Sequence, residues 1–246
     1  LAGFYIYGYV GPKDYPKAKY YYELSSKQNN TDAFIGLGNM YYKGYGVKKD
    51  FTEAIKYYMK AVNDKHSDVF YKIGKIFFKQ QNYVNAKEYF EKASIFNHPL
   101  SYFYLGIIYF KGLGVEQDYK LSFNNFLSSS QLNYFKAFFY VGLQYERGLG
   151  VEINYINAIY YYKKCLDCEK FHYFIDYKNG SIEKQKANAN YRYLSANNAA
   201  VIYLLFMQNT KEAENYFKIS SNNEYPIGQN NFALFSQFFL DNEAKA

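Results

Sequence analysis

The sequence is poor in cysteine, histidine and proline, and these shortages exclude several classes of protein. Two cysteines among 246 residues cannot form the disulfide framework of a small secreted domain. Three scattered histidines provide little material for a metal centre, and we find neither a carboxylate pair nor a serine–histidine–aspartate set. No apolar run reaches the roughly 18 residues of a membrane-spanning helix, and the longest, AAVIYLLFM (199–207), is typical of a core helix.

Aromatic residues and lysine are abundant instead. With 33 Tyr and 23 Phe, the chain is 49% hydrophobic, which is enough for a sizeable core and argues against disorder. The net charge of +7 is compatible with an acidic partner. No run of five like charges occurs, so a nucleic-acid-binding arm is not indicated.

A pattern with a period of about 36 residues runs along most of the chain. Each unit has an apolar stretch with a central glycine, a turn, an acidic or Asn residue, a small residue four places later, and an aromatic pair three and four places after that. The glycines are Gly38, Gly74, Gly106 and Gly142. Spacings of three, four and seven define one helical face, so the units are predicted to be helix–turn–helix hairpins that stack to bury a shared core.

This pattern resembles a known repeat family. The motif A-x3-LG-x2-Y-x2-G-x-GV-x2-D-x3-A-x2-YY-x2-A is similar to the Sel-1-like repeat. One shorter unit, YKIGKIFFKQQNYVNAKEYFEKA (71–93), resembles the related tetratricopeptide repeat. The resemblance implies an all-α fold, a right-handed α-solenoid, and a role as an adaptor or scaffold in protein complexes.

The repeat register divides the chain into three regions of one continuous solenoid. Residues 1–168 carry clear repeats, and residues 169–195 are a degenerate repeat or an insertion with a predicted helix over 181–194. Residues 196–246 hold one further repeat and a partial one. Both ends of the sequence fall inside repeats, which favours a piece of a longer protein.

The turn KGYGVKKD (43–50) has two interpretations. A phosphate-binding loop would need a preceding strand and a Gly-Lys-Ser/Thr ending, and neither is present. The copies KGLGVEQD and RGLGVEIN keep the glycines and lose the lysines that follow them. The pattern therefore favours structural glycines that end one helix and start the turn to the next. These glycines are Gly44, Gly46, Gly112, Gly114, Gly148 and Gly150.

Basic residues in the predicted first helices are the candidate partner-binding residues. One precedes each turn: Lys43, Lys79, Lys111 and Arg147. They could form a rail for an acidic peptide or a terminal carboxylate, or they could complement the dipole at the helix C-terminus. The resemblance to tetratricopeptide repeats places five more residues on a concave groove: Asn39, Tyr42, Lys72, Lys75 and Phe78.

The remaining candidates for chemistry are weak, and no metal or cofactor is predicted. Cys165 and Cys168, with His172 beyond them, lack the further ligands of a zinc site, and Cys165 takes the place of a small core residue. We therefore predict a non-enzymatic adaptor with a protein or peptide partner. Two alternatives stay open: a regulatory array within a larger multidomain protein such as a kinase, and a β-lactam hydrolase of the kind described for some Sel-1-like relatives.

Overall fold

The computed structural model describes residues 1–9, 11–62, 67–167, 182–221 and 226–237. Those residues form helices and connecting turns and include no strand, so the fold is all-α as predicted. The helices are α1 Ala2–Tyr7, α2 Tyr15–Ser26, α3 Thr31–Lys43, α4 Phe51–Lys60, α5 Ser67–Lys79, α6 Tyr83–Ser94, α7 Pro99–Lys111, α8 Tyr119–Gln131, α9 Phe135–Arg147, α10 Tyr155–Asp167, α11 Ile182–Leu205, α12 Thr210–Ser221 and α13 Pro226–Phe235.

The helices form two compact units, Leu1–Glu116 and Gln117–Ala246. In the first unit α1/α2, α3/α4 and α5/α6 are antiparallel hairpins, and α7 packs on α6. In the second unit α9/α10 and α11/α12 are the hairpins, α8 packs on α9, and α13 packs on α12. Helices consecutive in the chain are neighbours within each unit, which is the arrangement of stacked helical repeats.

A close approach between a glycine of the first helix and an aromatic ring of the second helix recurs in three hairpins. A Cβ added at Gly38 of α3 would lie 2.5 Å from Cε1 of Tyr58, whose side chain is only 1% exposed. The pairs Gly74–Phe90 and Gly142–Tyr162 repeat this contact, each at 2.8 Å. The recurring glycine is therefore required because the second helix presses a buried ring against the backbone of the first helix.

The other member of the aromatic pair stacks on a ring of the first helix. Tyr41 and Tyr57 have ring centroids 5.5 Å apart and planes 12° from parallel. The same contact recurs in the first unit as Tyr5–Tyr21 and Phe77–Tyr89, and in the second as Tyr145–Tyr161 and Tyr203–Tyr216. Each such pair contributes about 0.5–1.5 kcal/mol beyond its buried area. Much of the aromatic content thus has a structural role within the hairpins.

The double-glycine turns combine a left-handed backbone with close packing. Helices α3, α7 and α9 end at Gly44, Gly112 and Gly148, with φ of 78°, 63° and 66°. The second glycine of a turn lies against the start of an earlier second helix. At Gly150, with φ of 74°, an added Cβ would come 2.2 Å from the carbonyl oxygen of Tyr119.

The second helices then begin at side-chain caps. Asp50 Oδ1 accepts hydrogen bonds from the backbone N–H groups of Thr52 and Glu53, at 2.8 and 3.0 Å. Asp14, Asn82, Asp118 and Asn154 cap their helices in the same way. The acidic or Asn residue of the repeat is therefore the residue that starts each second helix.

Helix α11 is longer than the sequence pattern predicts. The predicted helix ends at Leu194, and a region boundary is predicted at 195, whereas α11 continues without a break to Leu205. No glycine or proline lies between 182 and 205, so nothing in the local sequence ends the helix earlier. Cys168, His172 and the Asn-Gly turn at 179–180 lie outside the described residues.

Gly150→Ala tests the packing of the double-glycine turn, with Gly148→Ala as its control. Both alanines would adopt a left-handed φ, but only Gly150 faces a rigid backbone atom, since the nearest atom at Gly148 is Cγ1 of the exposed Ile153. We expect Gly148→Ala to cost about 1 kcal/mol of unfolding free energy and Gly150→Ala about 3 kcal/mol, measured by urea denaturation. Equal costs would contradict the close approach.

Candidate partner-binding site

Two of the predicted basic residues meet on one aromatic ring. Lys43 ends α3 and Lys79 ends α5, one hairpin further along, and both are exposed. The Nζ atom of Lys79 lies 4.7 Å from the centre of the Tyr42 ring, and that of Lys43 lies 5.6 Å from the same centre. Both distances are within the range of cation–π attraction. Lysines from two successive hairpins therefore both contact the Tyr42 ring.

A third lysine that the sequence analysis did not select extends this site. The Tyr42 ring lies 5.7 Å from that of Phe51, and the Nζ atom of the exposed Lys49 lies 4.8 Å from the centre of Phe51. No described carboxylate lies within ion-pair distance of Lys49 or Lys79. We call Tyr42, Lys43, Lys49, Phe51 and Lys79 the Tyr42 cluster.

Asn39 lies one helical turn before the Tyr42 cluster. Its Oδ1 atom accepts a hydrogen bond of 2.7 Å from the hydroxyl group of Tyr58, which reaches it from α4. Burial raises the pKa of Tyr58 well above its ordinary value, so the hydroxyl stays protonated and acts as the donor. Asn39, Tyr42 and Lys43 share one face of α3 because they are three and four residues apart.

The predicted groove residues Lys72 and Lys75 make contacts within the first unit. Lys72 forms an ion pair with Asp68, one turn earlier on α5. Lys75 places its Nζ atom 5.4 Å from the centre of the Tyr71 ring. The Lys72 charge is thus compensated by a carboxylate, unlike those of Lys49 and Lys79.

Asp68 and His98 connect α5 to the start of α7. The Asp68 carboxylate lies 3.5 Å from Nε2 of His98, and His98 Nδ1 accepts a hydrogen bond from the backbone N–H of Ser101 at 3.3 Å. Burial raises the pKa of Asp68, but the hydrogen bond with His98 and the charge of Lys72 outweigh it and hold that pKa well below its usual range.

The structure also brings together a serine, a histidine and an aspartate that the sequence analysis did not find. The Ser101 hydroxyl lies 3.1 Å from His98 Nδ1, on the ring that contacts Asp68. Ser101 is fully buried, so its Oγ atom is not accessible to a substrate. His98 caps α7 here, and the spacing in sequence gave no signal because Asp68 lies a whole hairpin away.

Three other predicted site residues lie apart from the contacts on Tyr42. Phe78 is half-buried in the aromatic core, with its ring 5.0 Å from Tyr104 and 5.3 Å from Tyr83. Lys111 is exposed at the end of α7, and Arg147 is exposed at the end of α9 in the second unit. Of the four basic residues of the predicted rail, Lys43 and Lys79 are the ones that the structure shows on one ring.

The second unit carries a polar network at the equivalent place. Glu146 takes the repeat position of Tyr42, and its Oε2 atom accepts hydrogen bonds from the Tyr162 hydroxyl and from Asn198 Nδ2. Burial, followed by the charge of Glu146, raises the pKa of Tyr162 well above its ordinary value. Next to this network, Asn231 Nδ2 donates to Asn197 Oδ1 at 2.7 Å and joins α13 to α11.

Comparison with protein families identifies the repeats. The Sel1 repeat matches residues 1–30, 33–66, 99–134 and 136–165, which together make up more than half of the chain. The chain belongs to the Sel1 repeat family. A tetratricopeptide repeat matches residues 67–94, so the shorter unit is of the predicted type. Both parts of the resemblance seen in the sequence are confirmed.

Solved structures show the same fold. The protective antigen c5321 of uropathogenic Escherichia coli, which has a Sel1-like repeat fold, is 20% identical, with a TM-score of 0.68 over 97% of this chain. A Sel1 repeat protein from Oxalobacter formigenes is 21% identical, with a TM-score of 0.64, over 91% of this chain and 83% of its own. The present chain spans 56% of the length of c5321. No curated protein sequence matches the chain.

These Sel1 repeats offer few groups for other chemistry within the described residues. No three His, Cys, Asp or Glu side chains there are grouped closely enough to hold a metal ion. Cys165 is buried, with its Sγ atom 3.8 Å from the carbonyl oxygen of Tyr191. Among the described helices, none combines the length and apolar character needed to cross a membrane.

Asp68→Asn tests the junction between α5 and α7. Because the pKa of Asp68 is lower in the folded chain than its unfolded value of about 4, its ion pair stabilises the fold above that pH and is lost as pH falls. Since half of the side chain is exposed, we expect the variant to lose about 0.5–1 kcal/mol of unfolding free energy at pH 7. The loss should shrink towards zero in acid.

Glu88→Gln provides the control, because Glu88 pairs with Lys92 on α6 and has no contact with His98. Urea denaturation of both variants across the acid range measures the difference. A loss for Asp68→Asn that persists unchanged at low pH would contradict the assigned ion pair.

Proposed function

We propose that this Sel1 repeat chain is a non-enzymatic scaffold or adaptor that presents the face of its first helices to a protein partner. Sel1 and tetratricopeptide-like repeats generally mediate protein–protein interaction. The observation that carries the proposal is the meeting of Lys43 and Lys79 on the Tyr42 ring. The proposal is supported by the resemblance to tetratricopeptide repeats, in which first helices line a concave groove; by that analogy Tyr42 would lie on the groove, with Lys43 and Lys79 along its edge.

The chemistry of the Tyr42 cluster favours an acidic segment of the partner. Three lysines place their Nζ atoms within cation–π distance of the rings of Tyr42 and Phe51. Two of them, Lys49 and Lys79, have no described carboxylate within ion-pair distance. Carboxylates of a partner would complement this charge, while the rings of Tyr42 and Phe51 would supply apolar contact area. A hydrolase would need an accessible nucleophile, and Ser101 is buried.

Charge reversal at Lys43 and Lys79 tests this function. We expect the Lys43→Glu/Lys79→Glu variant to bind a labelled peptide of alternating glutamate and glycine about tenfold more weakly than the parent, because two attractive charges become repulsive. The affinity of the parent should fall with added salt, and the variant should show a weaker salt dependence. Fluorescence anisotropy titrations at two or more salt concentrations measure both.

The control is Lys27→Glu/Lys60→Glu, which makes the same change in net charge at two exposed lysines outside the Tyr42 cluster. Lys60 also lies over an aromatic ring, at 5.6 Å from the centre of Tyr57. If both double variants lose the same affinity, binding follows the net charge of the chain and the assignment to the Tyr42 cluster is wrong.

A further inference from the structure

We infer that an exposed apolar patch on the second unit is an interface between two copies of this chain, related by a two-fold axis. The patch consists of large apolar side chains from the turn before α10, the start of α10 and the end of α11. We call the following residues the Phe206 patch: Ile153, Ile156, Leu205, Phe206 and Met207. This inference goes beyond the proposed function, because the Tyr42 cluster lies in the first unit.

One aromatic contact joins the two halves of the Phe206 patch. The Tyr155 ring, at the start of α10, stacks on the Phe206 ring with centroids 4.1 Å apart and planes 18° from parallel. The other patch residues lie within two positions of Tyr155 or directly beside Phe206 along the chain. Exposed Tyr160 extends the patch along α10, one turn after Ile156. These side chains therefore form one surface around the stacked rings.

The repeat fold does not require apolar side chains at these places. The two other double-glycine turns, with the helices that follow them, have exposed polar or charged residues at the positions of Ile153, Ile156 and Tyr160. Those residues are Lys49, Thr52 and Lys56 in one repeat and Gln117, Lys120 and Asn124 in the other. Packing within a hairpin thus leaves the apolar character of this one unexplained, and burial against another surface would account for it.

The Phe206 patch is large enough for a dimer interface. Each of its residues, and Tyr160, is exposed by more than a third. At roughly 150–250 Å² for a large side chain, these six residues leave roughly 600 Å² of apolar surface in water. An exposed apolar area of that size is at the upper end of what monomers carry. Two such faces together would bury about 1,200 Å², which is the lower end of specific interfaces.

The rim of the Phe206 patch carries both signs of charge, which favours a second copy as its partner. Exposed Glu152 precedes Ile153, and exposed Lys211 lies four residues after Met207. Neither forms an ion pair with a described residue. An anionic bilayer would be matched by a basic rim. A two-fold axis through the patch instead places the α10 side of one copy against the α11 side of the other, so that Glu152 faces Lys211 of the partner subunit.

Ile156→Lys/Leu205→Lys tests the interface from both sides of the patch. We expect the parent chain to form a dimer that increases with concentration between the micromolar and millimolar ranges, measured by sedimentation velocity. The double variant should dimerise about a hundredfold more weakly, because association would bury unpaired ammonium groups. Thermal unfolding of each variant monitors folding.

The matched control is Val84→Lys/Ile95→Lys in the first unit. Ile95 is 76% exposed and Val84 63%, close to the 71% of Ile156 and the 64% of Leu205. The control makes the same change in charge and in apolar surface outside the Phe206 patch, so it should dimerise like the parent. Equal losses in both double variants would overturn the assignment to this patch.

Charge exchange tests the two-fold arrangement. Glu152→Lys and Lys211→Glu should each weaken self-association about tenfold, because each replaces two attractive contacts across the axis by two repulsive ones. In a mixture of the two variants every lysine again faces a glutamate, so the mixed dimer should form with about the affinity of the parent. Anisotropy of labelled Glu152→Lys, titrated with unlabelled Lys211→Glu, measures this. Absence of recovery in the mixture would contradict the two-fold arrangement.

The remaining outcomes decide between a second copy and other occupants of the patch. A parent that stays monomeric up to the millimolar range overturns the inference. A monomer that binds vesicles of phosphatidylcholine and phosphatidylglycerol through Ile156 and Leu205 also overturns it, because the patch then faces lipid. If Ile156→Lys/Leu205→Lys does not fold, the charge-exchange mixture still decides the matter. None of these measurements uses the acidic peptide, so the proposed function is tested separately.

Discussion

The contact between Gly38 and Tyr58 is the constraint on which the rest of the first unit depends. It brings the backbone of α3 against a buried ring of α4 and so sets the separation of the two helices. The same contact aims the Tyr58 hydroxyl at the first-helix face, where it meets Asn39. One steric requirement of the core therefore determines both the packing of the hairpin and the orientation of a surface amide.

Stacking of the hairpins then creates the charged part of the site. Lys43 and Lys79 each end a first helix, where a cation complements the partial negative charge of the helix C-terminus. This structural role is compatible with partner binding because both lysine residues are exposed. Tyr42 attracts both ammonium groups, and this attraction restricts the conformations of the two lysine side chains.

The sequence predicted the helical hairpins of the fold better than the contacts of the candidate site residues. A recurring glycine such as Gly38, followed by a capping residue such as Asp50, identifies a hairpin in the sequence. Both residues make their structural contacts within one repeat, so the spacing along the chain is enough to predict them. Whether a lysine is compensated depends on contacts that repeat spacing does not specify. Lys72 forms an ion pair with Asp68, and Phe78 packs against Tyr104 in the aromatic core. The repeat pattern alone specifies neither contact.

Variation at a single repeat position makes one hairpin of a repetitive chain differ from the others. The glycine brings the two helices into close contact at Gly38, Gly74 and Gly142, and the residue that follows it takes the same place in each repeat. The side chain at that place differs between repeats: Asn39 and Lys75 are half-buried, whereas Ile107 and Leu143 are buried in the core. In the second hairpin this residue is an amide that accepts a hydrogen bond from the Tyr58 hydroxyl, one helical turn before Lys43. The contact of the glycine with the buried ring is therefore compatible with either a polar or an apolar side chain beside it.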